Sequence, residues 1–287
     1  MDATVKQIQD VELNILKKTL KIIEAHNLTY YMLGGTLLGA VRHKGFIPWD
    51  DDVDIGLPRP DYEKFLEYAS MELDDPYRLH FIKENNSEYY YYYARVENTK
   101  VKLLRSVSIK ETGIYAWIDV FPLDGVPDNE KERTAWLSEC KNKKFFYNYS
   151  QFSYFAIPSD RRENISTAHR ILRDVFSKLK LEKLISTKFA WRQLDETLKR
   201  YSFEECNMLI NFCGHWGVKE MFEKSVYGKG KLYQFEDIQL NGPENYDFVL
   251  TQMYGDYMTP PPEDKRDQHM VKLVTESESP VEFYQDT

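Results

Sequence analysis

Apolar residues at Val5, Ile8, Val11, Ile15, Leu16, Leu20 and Ile23 recur at helical spacing, which predicts an amphipathic helix over residues 5–26. After Asn27 the run TYYML reads as a buried strand that stops at Gly34 and Gly35. Thr36 then reads as the N-cap of a short helix, LLGAVRHKG. Pro48 bars its continuation, and DVDIGL alternates as a second strand. DYEKFLEYA follows as a short helix, and then come the strand patterns YRLHFI, YYYYYARVEN, KVKLLRS and GIYAWIDVFPL.

Beyond Asp128 the texture changes to three long helical patterns, in the second of which Ala168, Ile171, Leu172, Val175, Phe176 and Leu179 share one face. Helices outside a run of strands with few helices between them give the expected fold class: α+β, a mixed β-sheet flanked by helices, with a largely helical C-terminal region.

Charge narrows the function. With 38 Lys and Arg against 46 Asp and Glu, the 287-residue chain carries a net charge of -8. That balance gives no general grip on nucleic acid, so none is expected as a partner. Residues 161–200 run the other way, with eleven Lys and Arg and five Asp and Glu. This segment reads either as a solvated helical face or as a contact with an anionic membrane surface. The N-terminal residues hold no signal-peptide core and no bilayer-length apolar span, so the expected location is cytoplasmic, peripheral at the inner face of the membrane if that contact is made. Cys140, Cys206 and Cys213 match no disulfide framework or zinc spacing and read as reduced, partly buried thiols.

The candidate chemistry lies in GGTLLGAVRHKGFIPWDDDVDIG, Gly34 to Gly56. Four carboxylates at Asp50, Asp51, Asp52 and Asp54 repel one another unless a cation sits among them. On a strand Asp52 and Asp54 share a face, about 6.5 Å apart by the strand rise, a spacing that suits one or two hard divalent ions. Mg²⁺ is the expected cofactor, with Mn²⁺ as the alternative. A calcium loop is excluded because Ile55 occupies the position that needs glycine and Asp61 the one that needs glutamate. Gly34, Gly35 and Thr36, between a strand and a helix, let backbone N–H groups approach an anion.

A glycine pair followed by a strand bearing Asp-x-Asp resembles the nucleotidyltransferase fold, and LGGTLLGAVRHKGFIPWDDDVDIGLPRPDYEKF is similar to the LicD family of phosphocholine transferases, relatives of the fukutin-type enzymes. The likeness continues in YYARVENTKVK, WIDVFPLDG and NYDFVLTQMYGDYMTPP. It implies a nucleotidyltransferase-like catalytic core over 1–127, with 128–287 completing the substrate site. It also implies transfer of phosphocholine from CDP-choline to a hydroxyl of a cell-surface glycan precursor, a teichoic acid or lipooligosaccharide, with release of CMP. The alternatives are another CDP-alcohol donor carrying ribitol phosphate or phosphoethanolamine, nucleotidyl transfer, or a non-catalytic choline- or nucleotide-binding module. By the same resemblance Asp52 and Asp54 are the first metal ligands and Asp119 in WIDVF is the third, with Ile118 and Val120 facing the core.

Cations near these motifs are candidates for the donor's phosphates: Arg42, His43, Lys44, Arg95, Lys265 and Arg266. Quaternary ammonium recognition needs aromatic faces, for which Trp49, Trp117, Tyr91 and Tyr93 are candidates. His269 is a candidate for substrate binding or proton shuttling.

Overall fold

The computed structural model describes residues 3–82, 91–105, 112–152, 167–263, 266 and 271–273. It is an α+β protein built on one mixed sheet flanked by helices. The first helix, α1 (Ala3–Ala25), buries Ile8, Ile15, Leu16, Leu20 and Ile23 as its periodicity requires. Strand β1 is only Tyr31–Met32, and it leads at once into α2 (Gly34–Arg42). Strand β2 (Asp54–Pro58) passes into α3 (Arg59–Glu72), whose first turn contains Pro60, where a missing N–H leaves no bond unmade.

The next strands are β3 (Tyr77–His80), β4 (Ala94–Arg105) and β5 (Thr112–Val126). The two strands expected from YYYYYARVEN and KVKLLRS are one: β4 runs through both, and a register shift between Asn98 and Lys102 absorbs the irregularity. Helix α4 (Glu130–Ser150) starts at Asn129, whose side-chain oxygen accepts from the N–H groups of Lys131 and Glu132 at 3.0 and 3.1 Å. Then follow α5 (Thr167–Lys178), α6 (Thr187–Leu198), β6 (Met208–Ile210), β7 (Met221–Glu223) and α7 (Lys224–Tyr227). The hairpin β8 (Lys231–Phe235) and β9 (Ile238–Gly242), α8 (Tyr246–Tyr254) and β10 (Val271–Leu273) complete the chain.

Strand order along the sheet is β1-β2-β5-β4-β10. Within it β2 and β5 run parallel and the other pairs antiparallel. The distal end of β5 pairs with β6, Asp124 opposite Ile210, so the sheet draws strands from both sides of position 127. Along β5, Ile118 and Val120 are fully buried in the main core, as the alternation predicted. No helix among the described residues is long and apolar enough to cross a membrane.

Candidate active site

The parallel pairing of β2 and β5 sets Asp54, the first residue of β2, directly opposite Asp119 in the middle of β5. Strand β2 begins at Asp54, so Asp52 lies in the segment leading into it and not on the strand as its alternation had suggested. That segment is nevertheless tied to the sheet, because the Asp119 N–H donates to the Val53 carbonyl at 2.8 Å.

The glycines belong to the same place. Gly34 has φ +48°, and a Cβ there would meet Asp54 Oδ2 at 3.3 Å; one on Gly35 would meet Asp50 Oδ2 at 2.6 Å. A side chain at Gly35 would therefore require the Asp50 carboxylate to shift. Thr36 is not an N-cap, since the helix already starts at Gly34 behind Leu33. Its hydroxyl instead accepts the Asp54 N–H at 2.8 Å, and so fixes the start of β2 against the first turn of α2.

Burial first, then the charges of Asp52, Asp119, Asp50 and Glu220, push the Asp54 carboxyl well above the usual carboxylate range. Asp119 is held by Arg95, opposite it on β4, whose Nε donates to Oδ1 at 2.7 Å. Both side chains are buried, so this pair is strong and directional. Arg95 is thus engaged with a site carboxylate, where the sequence had offered it to a donor phosphate. Its guanidinium also lies over the rings of Tyr91 at 3.6 Å and Trp117 at 4.4 Å. Two of the rings suggested for a ligand's ammonium group therefore already carry a cation of the protein.

Trp49 is likewise partnered, with Arg266 at 4.3 Å and Arg42 at 6.0 Å over its face and His43 at its edge. Arg42 further donates to the Tyr257 carbonyl at 2.7 Å and to His43 at 2.9 Å. Two cations thus flank the aspartate loop from α2 and from the chain beyond the prolines. Lys44 points elsewhere: its ammonium donates to the Val41 carbonyl and its own carbonyl accepts from the Glu236 N–H on the β8–β9 turn. Tyr93 packs on Phe121 at 4.3 Å. Lys265 and His269 lie outside the described residues.

Three acidic or phenolic groups here escaped the sequence reading. Glu12 of α1 is fully buried, with no hydrogen-bond partner on either carboxylate oxygen among the described residues. Burial and then the charges of Asp52, Asp51, Asp50 and Asp119 push its carboxyl well above the usual range. Glu220 accepts from Asn211 Nδ2 at 2.7 Å and the Trp216 N–H at 3.0 Å, and burial pushes it up to about 7. The Tyr254 hydroxyl would lie 3.8 Å from a Cβ on Gly34; burial and then the Asp54 charge push it up. Only Tyr254 had a sequence signal, its place in the segment NYDFVLTQMYGDY that resembles the family.

Among the described residues no three His, Cys, Asp or Glu side chains stand closed around a point as a metal-holding group. The donor set nevertheless has the right chemistry for Mg²⁺: hard carboxylate oxygens, half-buried at Asp52 and Asp54 and buried at Asp119 and Glu12, mutually repelling. A cavity of about 120 Å³ adjoins this end through Tyr91 and is walled by Tyr92, Tyr93, Trp191, Arg59 and Asp195.

Comparison with known proteins agrees with the resemblance. Residues 27–154 match the family described as LicD/FKTN/FKRP, nucleotidyltransferase domain. The chain is 25% identical over 272 residues to the lipopolysaccharide cholinephosphotransferase LicD of Haemophilus influenzae, covering 94% of this chain and 97% of that protein. A 36-residue stretch is 53% identical to the ribitol 5-phosphate transferase FKRP of Homo sapiens, 12% of this chain and 7% of that protein.

Proposed function

We propose that this protein is a phospho-alcohol transferase that moves phosphocholine from CDP-choline to a hydroxyl of a cell-surface glycan precursor, with release of CMP. The observation that carries the reading is the juxtaposition of Asp54 and Asp119 on parallel strands, with Asp52 adjoining and the Gly34–Gly35 backbone packed against the carboxylates. The near full-length similarity to a cholinephosphotransferase supports phosphocholine as the group transferred. The short match to a ribitol 5-phosphate transferase supports the coarser class and keeps ribitol phosphate as the second reading.

Asp52, Asp54 and Asp119 would hold Mg²⁺, or Mn²⁺ in its place. When bound, the ion neutralises phosphate oxygens and stabilises charge on the leaving group. Arg42 and Arg266, beside Trp49, would contact the diphosphate. The acceptor oxygen forms a bond to the choline-bearing phosphorus as the bond to the CMP oxygen breaks, its electron pair leaving with CMP. The acceptor's proton passes to Asp119, whose carboxylate Arg95 keeps in a fixed orientation. The aromatic walls of the cavity beside Tyr91 suit a quaternary ammonium headgroup.

On α5, α6 and the turn between them Ile171, Leu179, Leu184 and Phe189 are exposed among Lys178, Lys180, Lys183 and Lys188. Apolar and cationic side chains together support a peripheral contact with an anionic bilayer carrying the lipid-linked glycan acceptor.

Incubation with CDP-choline, Mg²⁺ and a glycan acceptor should release CMP and add the mass of phosphocholine to the acceptor. Asp52→Asn and Asp54→Asn should each lower CMP release by about 10²–10³-fold with an unchanged thermal midpoint. Absence of CMP release from folded, Mg²⁺-loaded protein would overturn the reading, and a mass gain of ribitol phosphate from CDP-ribitol would select the second one.

A further inference from the structure

The core-facing stripe of α1 runs through Ile8, Ile15, Leu16, Thr19 and Ile23, and Glu12 occupies the position in the middle of it. Periodicity had given that turn to Val11, an apolar residue that turns out half-buried, while the glutamate next to it is fully buried. Thr19, the other polar residue on the stripe, satisfies itself by donating to the Ile15 carbonyl at 2.9 Å. Glu12 does not: neither oxygen has a hydrogen-bond partner among the described residues. A buried carboxyl group left so is destabilising, a cost that an apolar residue in the same place would avoid.

The surroundings say what the group faces. One turn earlier, Gln9 is also buried and donates to the carbonyls of Ile47 at 3.2 Å and Asp50 at 2.8 Å, so this face of α1 abuts the aspartate loop. The charges that act on Glu12 belong to Asp52, Asp51, Asp50 and Asp119, all acidic. A carboxylate in this company gains nothing from the protein alone.

We propose that Glu12 is the fourth oxygen-donor residue of the cation site, completing with Asp52, Asp54 and Asp119 the shell of a divalent ion, directly or through a water on the ion. The inference rests on the reading of the three aspartates as metal ligands. It gives α1, which packs against β5 and β4, a role that no motif on the helix announces: the helix carries one ligand into the site. Neutralisation by the ion supplies the drive that draws the four carboxylates together.

Mn²⁺ titration of the full chain, followed by the electron paramagnetic resonance signal of free Mn²⁺, tests this without any substrate. Wild type, Glu12→Gln, Glu12→Met and Asp54→Asn are compared, with the thermal midpoint of each read with and without the ion. Loss of one ligand should weaken Mn²⁺ binding about 10–100-fold in both Glu12 variants. The metal-free midpoint of Glu12→Met should rise, since an apolar side chain suits the stripe, and its gain on adding Mn²⁺ should shrink. Wild-type affinity in Glu12→Gln alongside lost affinity in Asp54→Asn would overturn this inference and leave the aspartate site standing. Weakened binding accompanied by a lowered metal-free midpoint in both Glu12 variants would mark the residue as structural and overturn it as well. No Mn²⁺ binding by wild type would overturn the aspartate reading itself.

Discussion

The aspartate end of the sheet and the helical layer over residues 167–198 depart from ordinary burial in opposite directions. At the first, Glu12, Asp51, Arg95, Asp119 and Glu220 are at most 6% exposed. At the second, Leu184 is 82% exposed and Leu179 65%. Buried ionisable groups and exposed large apolar ones both cost stability, and the two regions carry that cost in opposite senses.

Between the two regions lies one buried ion cluster. Arg59 of α3 donates to both oxygens of Asp124 on β5, at 2.6 and 2.9 Å, and to Asp195 of α6 at 3.2 Å. Burial would lower the guanidinium, but the charge and hydrogen bonds of Asp124 and the charge of Asp195 more than offset it, so Arg59 stays cationic. In this cluster Arg59 meets the carboxylates of Asp124 and Asp195, whereas at the aspartate end Asp119 meets Arg95 and the charges acting on Asp54 are those of Asp52, Asp119, Asp50 and Glu220, all acidic.

The strongest way to break the contrast is at this joint. Arg59→Leu leaves Asp124 buried without its partner, and should lower unfolding stability by about 3–5 kcal/mol in urea denaturation. Adding Asp124→Leu should recover most of that loss, as expected of a structural pair.

A smaller effect is expected from pH. Glu220 binds its proton up to about pH 7 when folded but only to about 4.5 when unfolded, so the folded state holds more protons between those values. Stability in the presence of a chelator should therefore be full below pH 4.5 and fall as pH rises towards 7, and Glu220→Gln should flatten that slope in thermal melts. The smallest effect on stability belongs to the helical layer: Leu184→Glu should change the thermal midpoint by under about 0.5 kcal/mol equivalent. The same substitution should abolish co-sedimentation with phosphatidylserine vesicles if the layer meets a membrane.

Much of the fold was legible because it follows periodicity. The amphipathic stripe of α1, the alternation of Ile118 and Val120 and the turn signals around Gly34 and Pro48 each report a local constraint. What was not legible is non-local. That KVKLLRS continues the preceding strand depends on pairing with β5, which bridges the irregularity at Asn98. Thr36 looked like a cap because its neighbours are helical, yet its partner is the Asp54 N–H, across a loop. Arg95 was read as a candidate for a donor phosphate because its partner is not local: Asp119 meets it from the next strand. Glu12 stayed hidden because one charge in an apolar stripe leaves the helical pattern intact.

The parallel pairing of β2 with β5 has a consequence for how the protein comes into being. Asp54 meets Asp119 only after a crossover through α3, β3 and β4 has been closed, while Glu12 and Tyr254 arrive from near the two ends of the described chain. Long-range contacts of this sort form late, because loop closure must precede them. On the ribosome the acidic loop therefore emerges long before its strand partner, as an open run of solvated aspartates. The closure that pairs β2 with β5 therefore completes the core and assembles the acidic end in one event.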